Sequence, residues 1–142
     1  MKKLVVTGGL GFIGSNFIRK SLKKYKILNI DKITYAGNTK NLTKLSKEKN
    51  YKFIKGDISK FDIREKILKY RPDGIIHFAA ESHVDRSIEN PREFLDTNII
   101  GTYNLLEIVK LNKKIKFVHI STDEVYGDLG RTKKKFNRKT KF

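Results

Sequence analysis

The stretch Leu4-Val5-Val6-Thr7-Gly8-Gly9-Leu10-Gly11-Phe12-Ile13-Gly14 constrains the fold more than any other part of the chain. A short apolar run enters a glycine-rich turn, and an amphipathic segment begins near Phe12. That order reads as a parallel strand, a phosphate-cradling loop and the first turn of a helix. The glycines satisfy two spacings at once. Gly-x-Gly-x-x-Gly runs through Gly9, Gly11 and Gly14, and Gly-x-x-Gly-x-x-Gly runs through Gly8, Gly11 and Gly14. Either spacing permits a tight turn, close backbone approach to a pyrophosphate and close packing of helix on strand. The unpaired N–H groups and positive dipole end of the helix would then face an anion.

A second apolar run, Ile27-Leu28-Asn29-Ile30, ends in Asp31, twenty residues after Gly11. An acid at that offset can accept hydrogen bonds from an adenosine ribose. The plainer alternative is a carboxylate that merely caps a loop. Strand, glycines, helix and acid in register predict dinucleotide binding. Asp31 favours NAD over NADP, because a 2′-phosphate would meet a negative charge, and the adjacent Lys32 pulls the other way.

Apolar runs continue to alternate with amphipathic segments. They predict strands at 3–7, 26–31, 51–55, 74–79 and 115–121, and helices near 12–24, 60–70 and 91–111. Residues 80–90 read as a loop, and a short helix through Leu42 and Leu45 is expected between strands 2 and 3. Gly101, inside the last helix, marks a close packing contact. The fold class is α/β: a doubly wound parallel sheet of Rossmann type, with strand order 3-2-1-4-5. Its crevice should lie beyond the carboxyl ends of strands 1 and 4.

The chain of 142 residues is about one domain long, and with no cysteine it can form neither disulfides nor thiolate sites. No apolar run reaches membrane-span length and the start lacks a signal-peptide pattern, so a cytoplasmic protein without membrane partners is expected. The net charge of +17 suggests an anionic partner only at first sight. Seven of the basic residues fall in 131–142, a segment without acids that is expected to be loop or disordered beyond a domain at 1–130. The other lysines are scattered over predicted outer faces, with no nucleic-acid module. A solvated surface without a specific nucleic-acid partner follows, and any polyanion contact would be salt-sensitive.

Two segments leave strands at the predicted crevice. Phe78-Ala79-Ala80-Glu81-Ser82-His83 offers small residues that let a flat cofactor lie close to the backbone. Ser121-Thr122-Asp123-Glu124-Val125-Tyr126-Gly127 offers hydroxyls and two adjacent carboxylates. Those carboxylates can form an acid–base pair, or the segment can simply cap a helix start. His77, His83 and His119 form no metal set, and His77 and His119 read as structural.

From residue 3 to about 130 the chain resembles the amino-terminal part of dTDP-glucose 4,6-dehydratases, in the extended short-chain dehydrogenase/reductase group. The matching segments are TGGLGFIGSNF (7–17), NIDKITYAGN (29–38), GDI (56–58), HFAAESHVDRSI (77–88), TNIIGTYNLLE (97–107) and STDEVYGDLG (121–130). The glycine turn is common to the group; HFAAESHVDRSI followed by STDEVYG is far more specific, and nucleotide-sugar epimerases usually lack the acid pair.

The resemblance implies NAD as cofactor. Phe12 and Ile13, with Gly8, Gly11 and Gly14, would meet its pyrophosphate, and Asp31, Lys32, Ile33 and Thr34 its adenosine ribose. Asp57 and Ile58 would flank the adenine. Phe78, Ala79, Ala80, Glu81, Ser82 and Thr97 would line the rest of the channel. Ser82 and Thr122 would touch the sugar of dTDP-glucose, Asp123 would serve as general acid and Glu124 as general base. The complete family form is implied to be a homodimer. The family's oxidation step uses a Tyr-x-x-x-Lys pair on the helix after strand 5, whereas Tyr126 is followed four residues on by Gly130. These 142 residues therefore resemble a truncated portion that precedes the later strands and the substrate-binding region. Turnover by this portion alone is not expected. The alternatives are another nucleotide-sugar epimerase or dehydratase, and a non-catalytic NAD-binding remnant.

Overall fold

The five apolar runs build one parallel sheet. Its strands are β1 (Lys2–Thr7), β2 (Tyr25–Asp31), β3 (Tyr51–Lys55), β4 (Gly74–His77) and β5 (Lys116–His119). They lie in the order β3-β2-β1-β4-β5, all neighbours parallel, as the alternation of strands and helices predicts. The computed structural model describes residues 1–127 together with Lys135 and Asn137. The expected domain boundary at residue 130 and the basic segment after it otherwise lie outside the described residues.

Period-two alternation sends successive side chains of β1 to opposite faces of the sheet. Val5 joins Leu28, Ile30 and Ile75 on one face, covered by Ile63 and Ile67 of α2 (Phe61–Tyr70) and by Leu105 and Ile108 of a later helix. Val6 joins Ile27 on the other face, covered by Ile18 and Leu22 at α1 (Phe12–Ser21) and by Leu42 of a 3-10 turn (Thr39–Leu45). Helices on both faces make the sheet doubly wound. Each of these buried Ile, Leu or Val side chains contributes roughly 1.5–3 kcal/mol of hydrophobic stabilisation.

Several boundaries differ from the sequence reading. α1 stops at Ser21 rather than 24, because Leu22 caps it before the chain turns into β2. β4 ends at His77, and the apolar residues expected to extend it to 79 instead leave the sheet and line the cleft described below. β5 likewise ends at His119 rather than 121. The expected loop at 80–90 contains α3 (Val84–Glu89), a six-residue helix that buries none of its residues and is too short for a periodic apolar signal. The expected helix at 91–111 is composite: α4 (Pro91–Phe94), a π-helical segment (Leu95–Gly101) and α5 (Thr102–Leu111). Gly101 ends the π segment where a Cβ would lie 2.6 Å from Ile58 Cγ1, the close contact its position foretold.

Candidate nucleotide cleft and active site

Parallel strands send all their carboxyl ends to one pole, and there the chain forms a cleft of about 340 Å³. The turn after β1 supplies its inner wall. Gly8 has φ 69°, and a Cβ there would lie 2.5 Å from the backbone nitrogen of Ala79. A Cβ on Gly14 would run into the carbonyl oxygen of Gly8. Gly8, Gly11 and Gly14 line the cleft, whereas Gly9 packs against Asn29 and Ile18. Of the two glycine spacings, Gly8-Gly11-Gly14 is therefore the one that shapes the cavity. Gly11 is the N-cap of α1 and lends it no side-chain cap, so the first-turn N–H groups remain available to an anion. Phe12 and Ile13, 82% and 62% exposed, form the lip.

Asp31 closes β2 beside this turn. Its Oδ2 accepts the Leu10 N–H at 2.9 Å and its Oδ1 accepts the Ile33 N–H at 2.8 Å. The second bond helps hold Ile33 in the left-handed region, φ 61°, which disfavours a β-branched residue. Asp31 thus caps its loop, the plainer expectation, and lines the cleft as well. The Lys32 ammonium reaches across the floor: it donates to Thr97 Oγ1 at 3.2 Å and lies 3.8 Å from Glu81 and 3.9 Å from Asp57. It is committed to the far wall. Glu81 is buried, and desolvation pushes its carboxyl upward while Lys32 partly offsets the shift. The Glu81 backbone also exchanges hydrogen bonds with the Asn98 amide at 2.9 and 2.8 Å, which ties the loop after β4 to the π segment.

Asp57 and Ile58 line the cleft from the end of β3; Asp57 Oδ1 accepts the Ser59 N–H at 2.9 Å and the Ile58 carbonyl accepts from Asn104 at 3.0 Å. Phe78, Ala79, Ala80, Ser82 and Thr97 complete that wall, and Thr34 stands across from it on the β2 side. Thr122 reaches the same cleft from β5, so the glycine turn and the mouth of the fifth strand share one cavity.

Two candidates fall outside the lining. The Ile33 side chain packs against the cluster beneath α1. Glu124 sits in a 3-10 turn (Asp123–Tyr126), exposed, and a hydrogen bond with the Thr122 side chain holds its carboxyl below the usual range. Thr122 stands at the N-cap of that turn without making a side-chain cap bond. The Asp123 side chain lies outside the described residues. Sequence reasoning missed Ile30, Ala36, Gly37, Gly56 and Ile120, which also line the cleft, as does Ser121 of the segment expected to border it. Each lies within three chain positions of a residue that was identified.

Under the cleft, His77 is buried between two hydroxyls. Thr7 Oγ1 lies 2.6 Å from its Nδ1 and Thr102 Oγ1 lies 3.0 Å from its Nε2. Desolvation, then the neighbouring His119 ring at 4.9 Å, lowers His77 to a pKa of about 4. Among the described residues no three His, Asp or Glu side chains gather to hold a metal.

The chain is 46% identical, over 93% of its length, to a dTDP-glucose 4,6-dehydratase of Neisseria meningitidis serogroup B, and covers 41% of that protein. The crystal structure of dTDP-glucose 4,6-dehydratase from Bacillus anthracis in complex with NAD superposes with a TM-score of 0.84 at 44% identity. That match takes in 99% of this chain and 43% of the other. A UDP-N-acetylglucosamine 4-epimerase from Methanobrevibacter ruminantium superposes with a TM-score of 0.85 at 30% identity, covering 99% of this chain and 44% of that one. The chain therefore spans about two fifths of the length of these relatives. Residues 5–142 match the model of the GDP-mannose 4,6 dehydratase family, and the chain belongs to that family.

Proposed function

We propose that this chain is the NAD-binding portion of a dTDP-glucose 4,6-dehydratase, whose whole form converts dTDP-glucose to dTDP-4-keto-6-deoxyglucose with loss of water. The observation that carries the reading is the single cleft joining the glycine turn to the mouth of β5. Its shape suits a dinucleotide: Gly8 and Gly14 let the turn pack against backbone too closely for any Cβ, both line the cleft, and an acid closes the adjacent strand. The similarity to NAD-bound Bacillus anthracis dehydratase supports the same cofactor.

In this reading Phe12, Ile13 and the first-turn N–H groups hold the pyrophosphate. Asp31 takes the ribose hydroxyls while Lys32, Ile33 and Thr34 shape the same corner. Asp57 and Ile58 flank the adenine, and the wall from Phe78 to Ser82 with Thr97 holds the nicotinamide half. When bound, NAD supplies a hydride acceptor at sugar C4 and a hydride donor at C6. The ketone formed at C4 acidifies the C5–H. Glu124 removes that proton, and Asp123 protonates the departing C6 hydroxyl. Ser82 and Thr122 orient the sugar, with the Thr122 hydroxyl also steering the Glu124 carboxylate. The reaction takes place in the cytoplasm, and the whole form is a homodimer built on the exposed apolar side of the π segment and α5, where Leu95, Ile99 and Tyr103 face outward.

The cofactor preference gives the direct test. The commitment of Lys32 to Thr97, Glu81 and Asp57 leaves Asp31 without a compensating cation for a 2′-phosphate. Calorimetry on residues 1–142 should find NAD bound at least about tenfold more tightly than NADP, a difference of about 1.4 kcal/mol. Equal affinities, or no binding of either, would overturn the reading. A nucleotide-sugar 4-epimerase is the second reading, favoured by the equally close backbone fit to the Methanobrevibacter enzyme. Product analysis of a protein completed with the family's carboxy-terminal region separates the two: a 4-keto-6-deoxy sugar supports the dehydratase, a C4-inverted sugar the epimerase.

A further inference from the structure

We infer that the pole of the sheet opposite the cleft is a docking surface for the phosphate backbone of nucleic acid, bound without regard to sequence. All five strands begin at this pole, so the loops entering them share one edge. Lys2, Lys26 and Lys116 stand at the starts of β1, β2 and β5, and all three are exposed. Lys23 and Lys24 precede β2, and Lys47 and Lys49 precede β3. Arg71 precedes β4, with Lys113 and Lys114 before β5. These ten exposed cations form no ion pair among the described residues. The same loops hold two acids, Glu48 and Asp73, and Asp73 is already engaged by the Lys3 N–H at 2.7 Å.

Lysine-rich composition alone would distribute charge evenly over the surface. Here it is segregated. The cleft pole carries Asp31, Asp57, Glu81, Asp85, Glu89 and Glu124 against Lys32, Lys55, Lys60 and Arg86, and Lys32 and Arg86 are already paired with carboxylates. Basic residues after helix ends offset the helix dipole, which accounts for Lys23, Lys24 and Arg71. It does not account for Lys2, Lys26 and Lys116, which lie on strands.

The row suits a linear polyanion. Neighbouring strands are about 4.8 Å apart, so the pole runs roughly 20 Å from β3 to β5. Duplex DNA presents one charge per about 1.7 Å of axis, and lysines neutralise phosphates as point charges without reading bases. A membrane surface is the less suited partner, because among the described residues Met1 and Leu111 are the large exposed apolar side chains near this pole and no apolar face is interleaved with the lysines. The surface is remote from the cleft, so its test is independent of the proposed enzyme activity.

The experiment uses the 142-residue chain and a fluorescent random-sequence DNA duplex, with anisotropy titrations between about 50 and 200 mM salt. The pole variant carries Lys2→Gln, Lys26→Gln and Lys116→Gln. A control of equal charge carries Lys40→Gln, Lys44→Gln and Lys60→Gln, three exposed lysines elsewhere. Thermal melts run alongside, and the basic segment 131–142 is retained throughout. The slope of log affinity against log salt should flatten by about 2–3 in the pole variant and by less than about 1 in the control, with both still folded. Equal flattening in the two variants would overturn the inference, as would absence of duplex binding by the parent chain. Pole-dependent binding to phosphatidylserine vesicles in preference to the duplex would overturn the choice of partner.

Discussion

Acidification should destabilise this protein through one buried imidazole, His77. In the folded chain its neutral form is held by the Thr7 and Thr102 hydroxyls, and burial with the adjacent His119 lowers its pKa from 6.5 to about 4. The unfolded chain takes up a proton near pH 6.5, the folded chain only near pH 4, so between these values the unfolded state binds more protons. Stability is therefore complete above about pH 6.5 and falls as pH drops through the window. Two-state linkage gives a loss of about 2 kcal/mol by pH 5 and about 3 kcal/mol once both forms are protonated. Either is a large part of a typical stability of about 5–15 kcal/mol. Glu81 works the other way, since a raised carboxyl favours the folded state as pH falls. The assay must therefore compare slopes. Urea unfolding of the parent and of His77→Gln at pH 7 and pH 5 isolates the imidazole. The difference in stability between the two proteins should shrink by about 2 kcal/mol over that interval, whatever the variant costs at pH 7. Parallel curves would refute the argument and mean that water or a rearranged neighbour accommodates the imidazolium.

Two more outcomes follow from the cleft. Gly14→Ala places a methyl against the Gly8 carbonyl, backbone on both sides, and should cost about 1–3 kcal/mol in urea unfolding; a change below about 0.5 kcal/mol would show that the turn yields. In a protein completed with the family's carboxy-terminal region, Glu124→Gln should abolish exchange of the C5 proton with deuterated solvent while oxidation at C4 persists. Continued exchange would remove Glu124 from the role of base.

What could be read from the residues, and what could not, divides along a physical line. The sheet was legible because a strand covered on both faces must be an unbroken apolar run, and Val5, Val6, Leu28, Ile30 and Ile75 are each buried for that reason. The same logic fails where burial does not supply the pattern. α3 is six residues long and its apolar pair Val84 and Ile88, 72% and 78% exposed, is too short a run to establish a helical period. The π segment is invisible for a different reason: Leu95 and Ile99, four apart, suit a helical face whichever way the backbone bonds are closed. Its cause lies elsewhere in the chain, where Asn98 must meet the Glu81 backbone and Gly101 must yield to Ile58. The cleft was legible because its residues ride on loops leaving adjacent strand ends, which topology alone brings together. The committed position of Lys32 could not be read from its neighbour Asp31. A lysine beside an acid at the end of the second strand looks like a phosphate receptor until Glu81, forty-nine residues later, and Asp57 and Thr97 are seen to claim its ammonium. In the proposed reading, cofactor preference is set by which carboxylate has a cation within reach, and that is a property of the folded wall rather than of the motif.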